Sequence, residues 1–295
     1  MQFGVSLPNF SRLGTREVVV DLAQQAEALG YDSIWTTDHV MMARGQDQPY
    51  GHVLEALTTL TYLAPLTHRV RLGISVLVLP QRSPVVVAKE IATLDVLSGG
   101  RLILGLGAGW NEREFQFLGA SFHDRGRRLN EYIKTFRELW TSPDPHFEGQ
   151  FVQFSDVLFS PRPVQPNGPA IWIGGGSRAA LRRAATLADG WQSTGIGPER
   201  YAESMRQIRD MANGRDVVGS LRISTAVGRT LPEVRGASGH IMATLCGSKE
   251  EVIDRIREYE AGGMSYLVTQ FGTDSREVFL EDMRRFADEV RPAFR

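Results

Sequence analysis

Apolar and polar positions fall into repeating blocks along this chain: a short apolar run with strand character, then a stretch with helical period. Phe3 to Leu7 reads as the first strand. Thr15 caps a helix whose Val18, Leu22, Ala26 and Leu29 share one face, and Gly30 ends it. Ser33 to Thr37 is the second strand and Val53 to Leu63 the second helix. Val70 to Leu77 is the third strand, apolar throughout as a strand covered on both faces should be, and Pro84 opens the third helix. Arg101 to Leu106 and Arg128 to Trp140 form the fourth pair. The period then breaks between Pro143 and Pro169. Phe147 to Phe151 reads there as a short hairpin, and the length of the segment suits a lid or binding loop.

The blocks resume with strand Ala170 to Gly174 and helix Arg178 to Leu187, a short strand near Trp191, and helix Glu199 to Ala212. Leu221 to Val227 is the seventh strand, followed by a second irregular stretch from Arg229 to Gly247. Ser248 and Glu251 have the spacing of a capping box for a helix with Val252, Ile256 and Tyr259 on one face. Tyr266 to Gln270 and Arg276 to Val290 complete the series. Such alternation predicts a parallel α/β architecture. Eight strand–helix pairs fit a (β/α)8 TIM barrel with insertions near 143–169 and 229–247, forming one domain over 1–295. A doubly wound sheet satisfies the same alternation, because the pattern does not fix closure.

Composition narrows the class. The chain has 295 residues, 42% hydrophobic and 23% charged, with ample length to bury a core. A net charge of −1 argues against a nucleic-acid partner, which a basic excess usually meets. The apolar run at Val76 to Leu79 is far short of a bilayer span, the start lacks a secretory pattern, and the single cysteine, Cys246, suits a reducing compartment. The expectation is a cytoplasmic protein that does not enter a membrane and acts on a small molecule.

Active sites of such barrels lie at the C-terminal ends of the strands, so polar residues just past each strand matter most. Asp38 and His39 leave the second strand together, a carboxylate and an imidazole suited to proton transfer; a helix cap or surface turn is the plainer alternative. Ser75 sits at the end of the third strand and alone reads as an ordinary buried serine. Gly105, Gly107 and Gly109 alternate after the fourth strand and permit close backbone approach to a flat or anionic ligand, or make a tight turn. The dinucleotide fingerprint fails there, since Trp110 stands at its third glycine and no helix is predicted directly after it. Gly174, Gly175, Gly176 and Ser177 precede a helix, where free N–H groups and the helix dipole favour a phosphate. The six histidines show no metal-binding spacing, no G-x-S-x-G elbow is present, and Cys246 reads as inert.

Taken in order, several stretches resemble the luciferase-like monooxygenase superfamily, and within it the coenzyme F420-dependent oxidoreductases. They are Ser33 to His39, Gly73 to Pro84, Leu94 to Arg101, Gly105 to Phe115, Ile173 to Trp191 and Gly247 to Val252. The resemblance implies a deazaflavin, or alternatively FMN, in the barrel mouth. It implies a non-prolyl cis bond at Ser75–Val76 backing the ring and Asp38 at the ring edge. Gly107, Ala108 and Gly109 would lie beside the cofactor's side chain, with Gly174 to Ser177 on its phosphate. In related sugar-phosphate dehydrogenases a histidine at the place of His39 is the base and a glutamate after the glycine turn is the acid. Here Trp110 stands in the glutamate's place, which leaves His39 as the acid/base candidate. The stretch Gly109 to Phe115 looks more like the deazaflavin branch. The resemblance therefore implies hydride transfer between coenzyme F420 and a small organic substrate, in a homodimer. An FMN-dependent monooxygenase and a non-catalytic flavin-binding protein stand as alternatives. Pocket walls are expected from 41–51, 143–169 and 229–247.

Overall fold

Eight parallel strands close into a barrel in the computed structural model, which describes residues 1–46, 48–236 and 239–294. In chain order the elements are β1 (Gln2–Ser6), α1 (Arg16–Ala28), β2 (Ser33–Thr36), α2 (Ala56–Leu63), β3 (Arg71–Val78), α3 (Pro84–Ser98), β4 (Leu102–Gly107), α4 (Glu112–Phe117) and α5 (Arg125–Thr141). The small hairpin β5 (Phe147–Glu148) and β6 (Gln153–Phe154) follows. Then come β7 (Ala170–Gly174), α6 (Arg178–Leu187), β8 (Gly190–Thr194), α7 (Pro198–Met211), β9 (Val218–Val227), β10 (Thr244–Gly247), α8 (Lys249–Ala261), β11 (Tyr266–Phe271) and α9 (Arg276–Arg285). The barrel order is β1-β2-β3-β4-β7-β8-β9-β11, and β11 pairs back onto β1. Closure decides against the doubly wound alternative. The first half of β9 pairs with β8 and its last residues with β10, a strand lying inside the stretch expected to be irregular.

Most predicted elements are in place, with local differences at their ends. Helix α2 begins at Ala56 rather than Val53, because Val53 bridges to Phe10 and the Leu54 N–H donates to Asn9. Thr15 caps α1, and Ser248 with Glu251 forms the reciprocal box at α8. The final helix departs from α geometry at Phe286, where a π turn runs to Val290. Helix α4 was not predicted.

Two apolar bodies hold the fold. The larger lies between the strands and the helices. The smaller, Trp35, Ile103, Trp172, Tyr266 and Val268, plugs the barrel interior, with the Trp35 and Trp172 rings 5.2 Å apart. A Cβ at Gly73 would lie 2.3 Å from the Trp35 ring, so only glycine leaves room for that indole on the neighbouring strand. Ser33 Oγ accepts hydrogen bonds from Trp35 Nε1 and from the Tyr266 hydroxyl, which satisfies the polar tips inside the plug. Among the described residues, no helix is long and apolar enough to cross a membrane.

Candidate active site

Side chains on a strand alternate between faces, so residues two positions past the plug face the barrel interior one layer nearer the mouth. Above the plug the layer turns polar: Ser6 on β1, Ser75 on β3, Gln192 on β8, Arg222 on β9 and Gln270 on β11. Ser6 Oγ, Thr37 Oγ1 and Gln192 Oε1 are enclosed there without a protein partner. Buried polar atoms normally find one, so this floor is suited to a polar ligand edge or ordered water.

The third strand shifts register against β4 between Ile74 and Leu77, and the Ser75–Val76 peptide bond is cis, as the resemblance implied. The bulge turns Val76 towards the glycines of its neighbours. A Cβ at Gly107 would lie 2.5 Å from Val76 Cγ2, and one at Gly174 2.8 Å from Val76 Cγ1. Gly105 and Gly107 thus make room for strand β3 and its bulge rather than for a ligand. Gly109 has φ +85°, and its open side faces Val78 and Phe115. Ala108 is half-buried against the outer core.

His39 is buried just past β2, and its Nδ1 lies 3.0 Å from Glu114 Oε2. Glu114 Oε1 accepts the Val40 N–H at 2.7 Å and the Met41 N–H at 3.3 Å. Glu114 comes from α4, whose Asn111 caps the first turn by accepting from the Arg113 and Glu114 N–H groups. Burial pushes the Glu114 carboxyl up, but the His39 hydrogen bond and the Val40 N–H outweigh it and hold the group below its ordinary value of 4.5. An ionised carboxylate only accepts, so Nδ1 carries the hydrogen towards Glu114 and Nε2 is the ring nitrogen left for a ligand. Tyr50 lies against the imidazole with centroids 4.5 Å apart, and the half-exposed Trp110 meets it edge-on at 5.7 Å. Sequence reasoning missed Glu114, although it stands only four positions beyond Trp110.

Asp38 is placed differently from the expectation at a ring edge. Its carboxylate has no exposed surface; Oδ1 accepts from Arg82 Nη2 at 2.6 Å and Oδ2 from the Val78 N–H at 2.9 Å. Burial raises its pKa from the ordinary 3.8, and Arg82 and the Val78 N–H only partly offset this. Each oxygen already accepts one bond from the segment at and just past the end of β3, so Asp38 fastens the end of β2 to the bulged strand.

The second glycine turn stays open. Gly175 has φ +109°, Gly175 and Gly176 are exposed, and a Cβ at Gly176 would meet nothing within 4 Å. Ser177 caps α6 by accepting from the Ala180 N–H, so its oxygen serves the helix start. Together with the enclosed orphan oxygens of the floor, this cradle fits a phosphate-bearing planar cofactor. Beside the mouth lies a cavity of about 970 Å³ lined by Arg12, Met42, Arg44, Gln48, Pro49 and His52 among others. A cleft of about 600 Å³ with Arg137 and Asp189 lies at the opposite end of the barrel, ahead of β8. Among the described residues no group of acidic, histidine and cysteine side chains could hold a metal ion. Cys246 is a free thiol on β10. Residues 47, 237 and 238 of the expected pocket loops, and residue 295 of the expected domain, lie outside the described residues.

A family model described as luciferase-like monooxygenase matches residues 1–235. An F420-dependent glucose-6-phosphate dehydrogenase of Amycolatopsis mediterranei (strain U-32) is 36% identical over 199 residues, 66% of this chain and 58% of that protein. One from Kineococcus radiotolerans is 36% identical over 191 residues, 63% of this chain and 55% of its own length. The chain thus spans a little over half the length of these curated relatives. Among solved structures, the monooxygenase RslO1 from Streptomyces bottropensis superposes with a TM-score of 0.83 at 23% identity, covering 100% of both chains. An F420-dependent secondary alcohol dehydrogenase in complex with an F420–acetone adduct does so at 0.82 and 18% identity, covering 100% of this chain and 99% of that one. At such identities these structures speak for the fold.

Proposed function

The chain belongs to the luciferase-like monooxygenase family, and from that premise we propose that it is an oxidoreductase moving a hydride between coenzyme F420 and a small organic substrate. The observation that carries the reading is the buried His39–Glu114 pair at the barrel mouth. The F420-dependent relatives at 36% identity favour the deazaflavin over FMN. Bound in the mouth, the deazaflavin supplies a two-electron hydride carrier.

The chain's own residues then have separable roles. Gly174, Gly175, Gly176 and Ser177 hold the phosphate with backbone N–H groups at the start of α6. Val76, turned inward at the bulge, forms a wall for the ring, with Ser75 beside it. Gly107 and Gly109 act behind that wall, giving Val76 and Val78 their space, with Ala108 between them packed against the core. His39 exchanges a proton with the substrate at Nε2, and Glu114 fixes its tautomer and orientation. Asp38 is a positioning residue that acts through Arg82 and the Val78 N–H.

The protein is proposed to work as a cytoplasmic homodimer. A free cysteine supports a reducing compartment. The exposed Val86 and Leu97 on α3, with Tyr62 exposed on the neighbouring α2, support a second copy as the cover for these helices.

The test is to titrate the purified protein separately with oxidised coenzyme F420 and FMN, following ligand fluorescence. Micromolar F420 binding with weak FMN binding, followed by hydride transfer to a conjugated carbonyl or imine, is the expected result. FMN binding alone, with oxygen consumed when the flavin is reduced, replaces this reading by a monooxygenase. Binding of neither overturns it.

A further inference from the structure

Three arginines are buried without a carboxylate within 4 Å among the described residues: Arg183, Arg222 and Arg291. Two have a plain structural account. Arg291 donates to the carbonyls of Leu29 and Gly30, where α1 ends and its dipole is negative. Arg183 lies between the outer helices α5 and α6 and bonds Asn130 and the Gly126 carbonyl.

Arg222 has neither setting. It points into the barrel from β9, 5% exposed, in the polar layer directly above the aromatic plug. Its Nε donates to Gln270 Oε1 at 3.0 Å and its Nη1 to the Ser75 carbonyl, in the cis bond of the bulge, at 2.8 Å. Both acceptors are neutral. A guanidinium has five N–H donors, and these two bonds use two of them. Nη2 makes no bond to the protein, yet it is not among the enclosed unpartnered atoms, so the little exposure that Arg222 keeps includes Nη2. Gln192 Oε1 and Ser6 Oγ, on strands of the same layer, are enclosed and unpartnered. Burial weighs against the charge, and the Tyr50 hydroxyl nearby favours it. Tyr50 also lies against His39, so the loop that flanks the acid/base pair comes near this cation too.

A buried charge without an opposite partner is costly to a fold, and proteins seldom keep an arginine so. A site that binds a negative ligand explains it, since the ligand supplies the missing charge. We propose that Arg222 is the anion-binding residue of the barrel floor, receiving a negatively charged oxygen of a planar ligand, carboxylate or delocalised enolate, seated beside Val76. The planar fork of the side chain suits such groups. This rests on reading the mouth as the ligand site. The oxygen belongs either to the cofactor ring or to the substrate, and the experiment separates the two.

The intact chain and its Arg222→Gln and Arg222→Lys variants are titrated with two probes: benzoate, a planar carboxylate without redox chemistry, and oxidised coenzyme F420. Tryptophan fluorescence reports the first and ligand fluorescence the second, with circular dichroism as a check of folding. The expected result is at least one probe bound on the order of tenfold more weakly by Arg222→Gln, with partial recovery in Arg222→Lys. Weakening of benzoate alone assigns the anion to the substrate, and weakening of F420 assigns it to the cofactor ring. If Arg222→Gln does not fold, Arg222→Lys, which keeps the charge without the fork, is compared with wild type for a smaller loss of the same kind. Binding of both probes unchanged by the substitution, or of neither by wild type, overturns the proposal. A wild type that binds benzoate through Arg222 but not F420 overturns the deazaflavin reading and leaves this one standing.

Discussion

Position 39 separates chemistry from architecture. Replacing His39 by alanine removes the proton carrier but leaves the α6 cradle and the Val76 wall in place. Turnover is expected to fall on the order of 10²- to 10⁴-fold with F420 affinity unchanged, read by steady-state kinetics and fluorescence titration. Loss of affinity in step with turnover would instead mean that His39 holds the ligand. Glu114 carries a pH signature of its own. Its folded pKa lies below the ordinary 4.5, so its proton is bound more readily unfolded than folded. The stability it contributes is complete above about pH 4.5 and lost as pH falls through the lower folded value. Thermal unfolding should therefore show wild type ahead of Glu114→Gln at neutral pH, by about 1.5–3 kcal/mol, with the gap closing in acid below pH 4.5. A gap independent of pH contradicts an ionised Glu114. At the bulge, Gly107→Ala drives a methyl against Val76 and is expected to cost about 1–3 kcal/mol. Val76→Ala opens that space, so the double variant should be more stable in denaturant titration than the sum of the single losses. Simple additivity would mean that the two side chains do not meet.

Among the elements, α4 does most for the site and was the least legible. Its six residues are too few for an apolar period, and Trp110 ahead of it reads as the end of a glycine turn. The stretch Asn111 to Glu114 does carry a signal, an N-cap residue followed three positions later by a glutamate, as a helix start prefers. What no local pattern reveals is the partner, since Glu114 meets His39 across 75 positions of chain. The acid was sought at the family's place directly after the turn, where Trp110 stands. Arg222 escaped notice for a related reason. One charged residue in an apolar strand reads as tolerated until the barrel closes and shows which face it takes. The strands themselves were legible because burial on both faces makes them apolar, and so were the helices with a full period and a cap. Asn111→Ala should cost about 1 kcal/mol through loss of the α4 cap. Amide exchange over 112–117 should quicken, and turnover should fall because Glu114 is held less firmly; unchanged exchange there would count against the cap.

For the whole molecule, the mouth and the outer helices are joined through β3. The strand bulges at Ser75–Val76, gives Asp38 the Val78 N–H, sends Arg82 back to the same carboxylate, and enters α3 at Pro84. Helix α3 carries apolar residues on both sides. Val87, Ala88, Ile91 and Leu94 are in the core, while Val86 and Leu97 are 55% and 63% exposed. That exposed side is mixed, since the exposed Glu90 and Thr93 stand between Val86 and Leu97 on it, and the two apolar ends of the stripe stay open. A second copy of the chain is the cover that a homodimer supplies, and a two-fold contact would seat the same stripe on both partners. Sedimentation should then give twice the mass of the chain, and the double substitution Val86→Glu and Leu97→Glu should return it to the single mass with the barrel still folded. A wild type that sediments as a single chain at micromolar concentration removes the homodimer. Since Arg82 stands four positions before Val86, loosening α3 should also loosen the clamp on Asp38. The separated form is expected to bind F420 more weakly although neither substituted residue faces the mouth, and equal affinity in the two forms would show that the barrel holds its mouth without help from the partner.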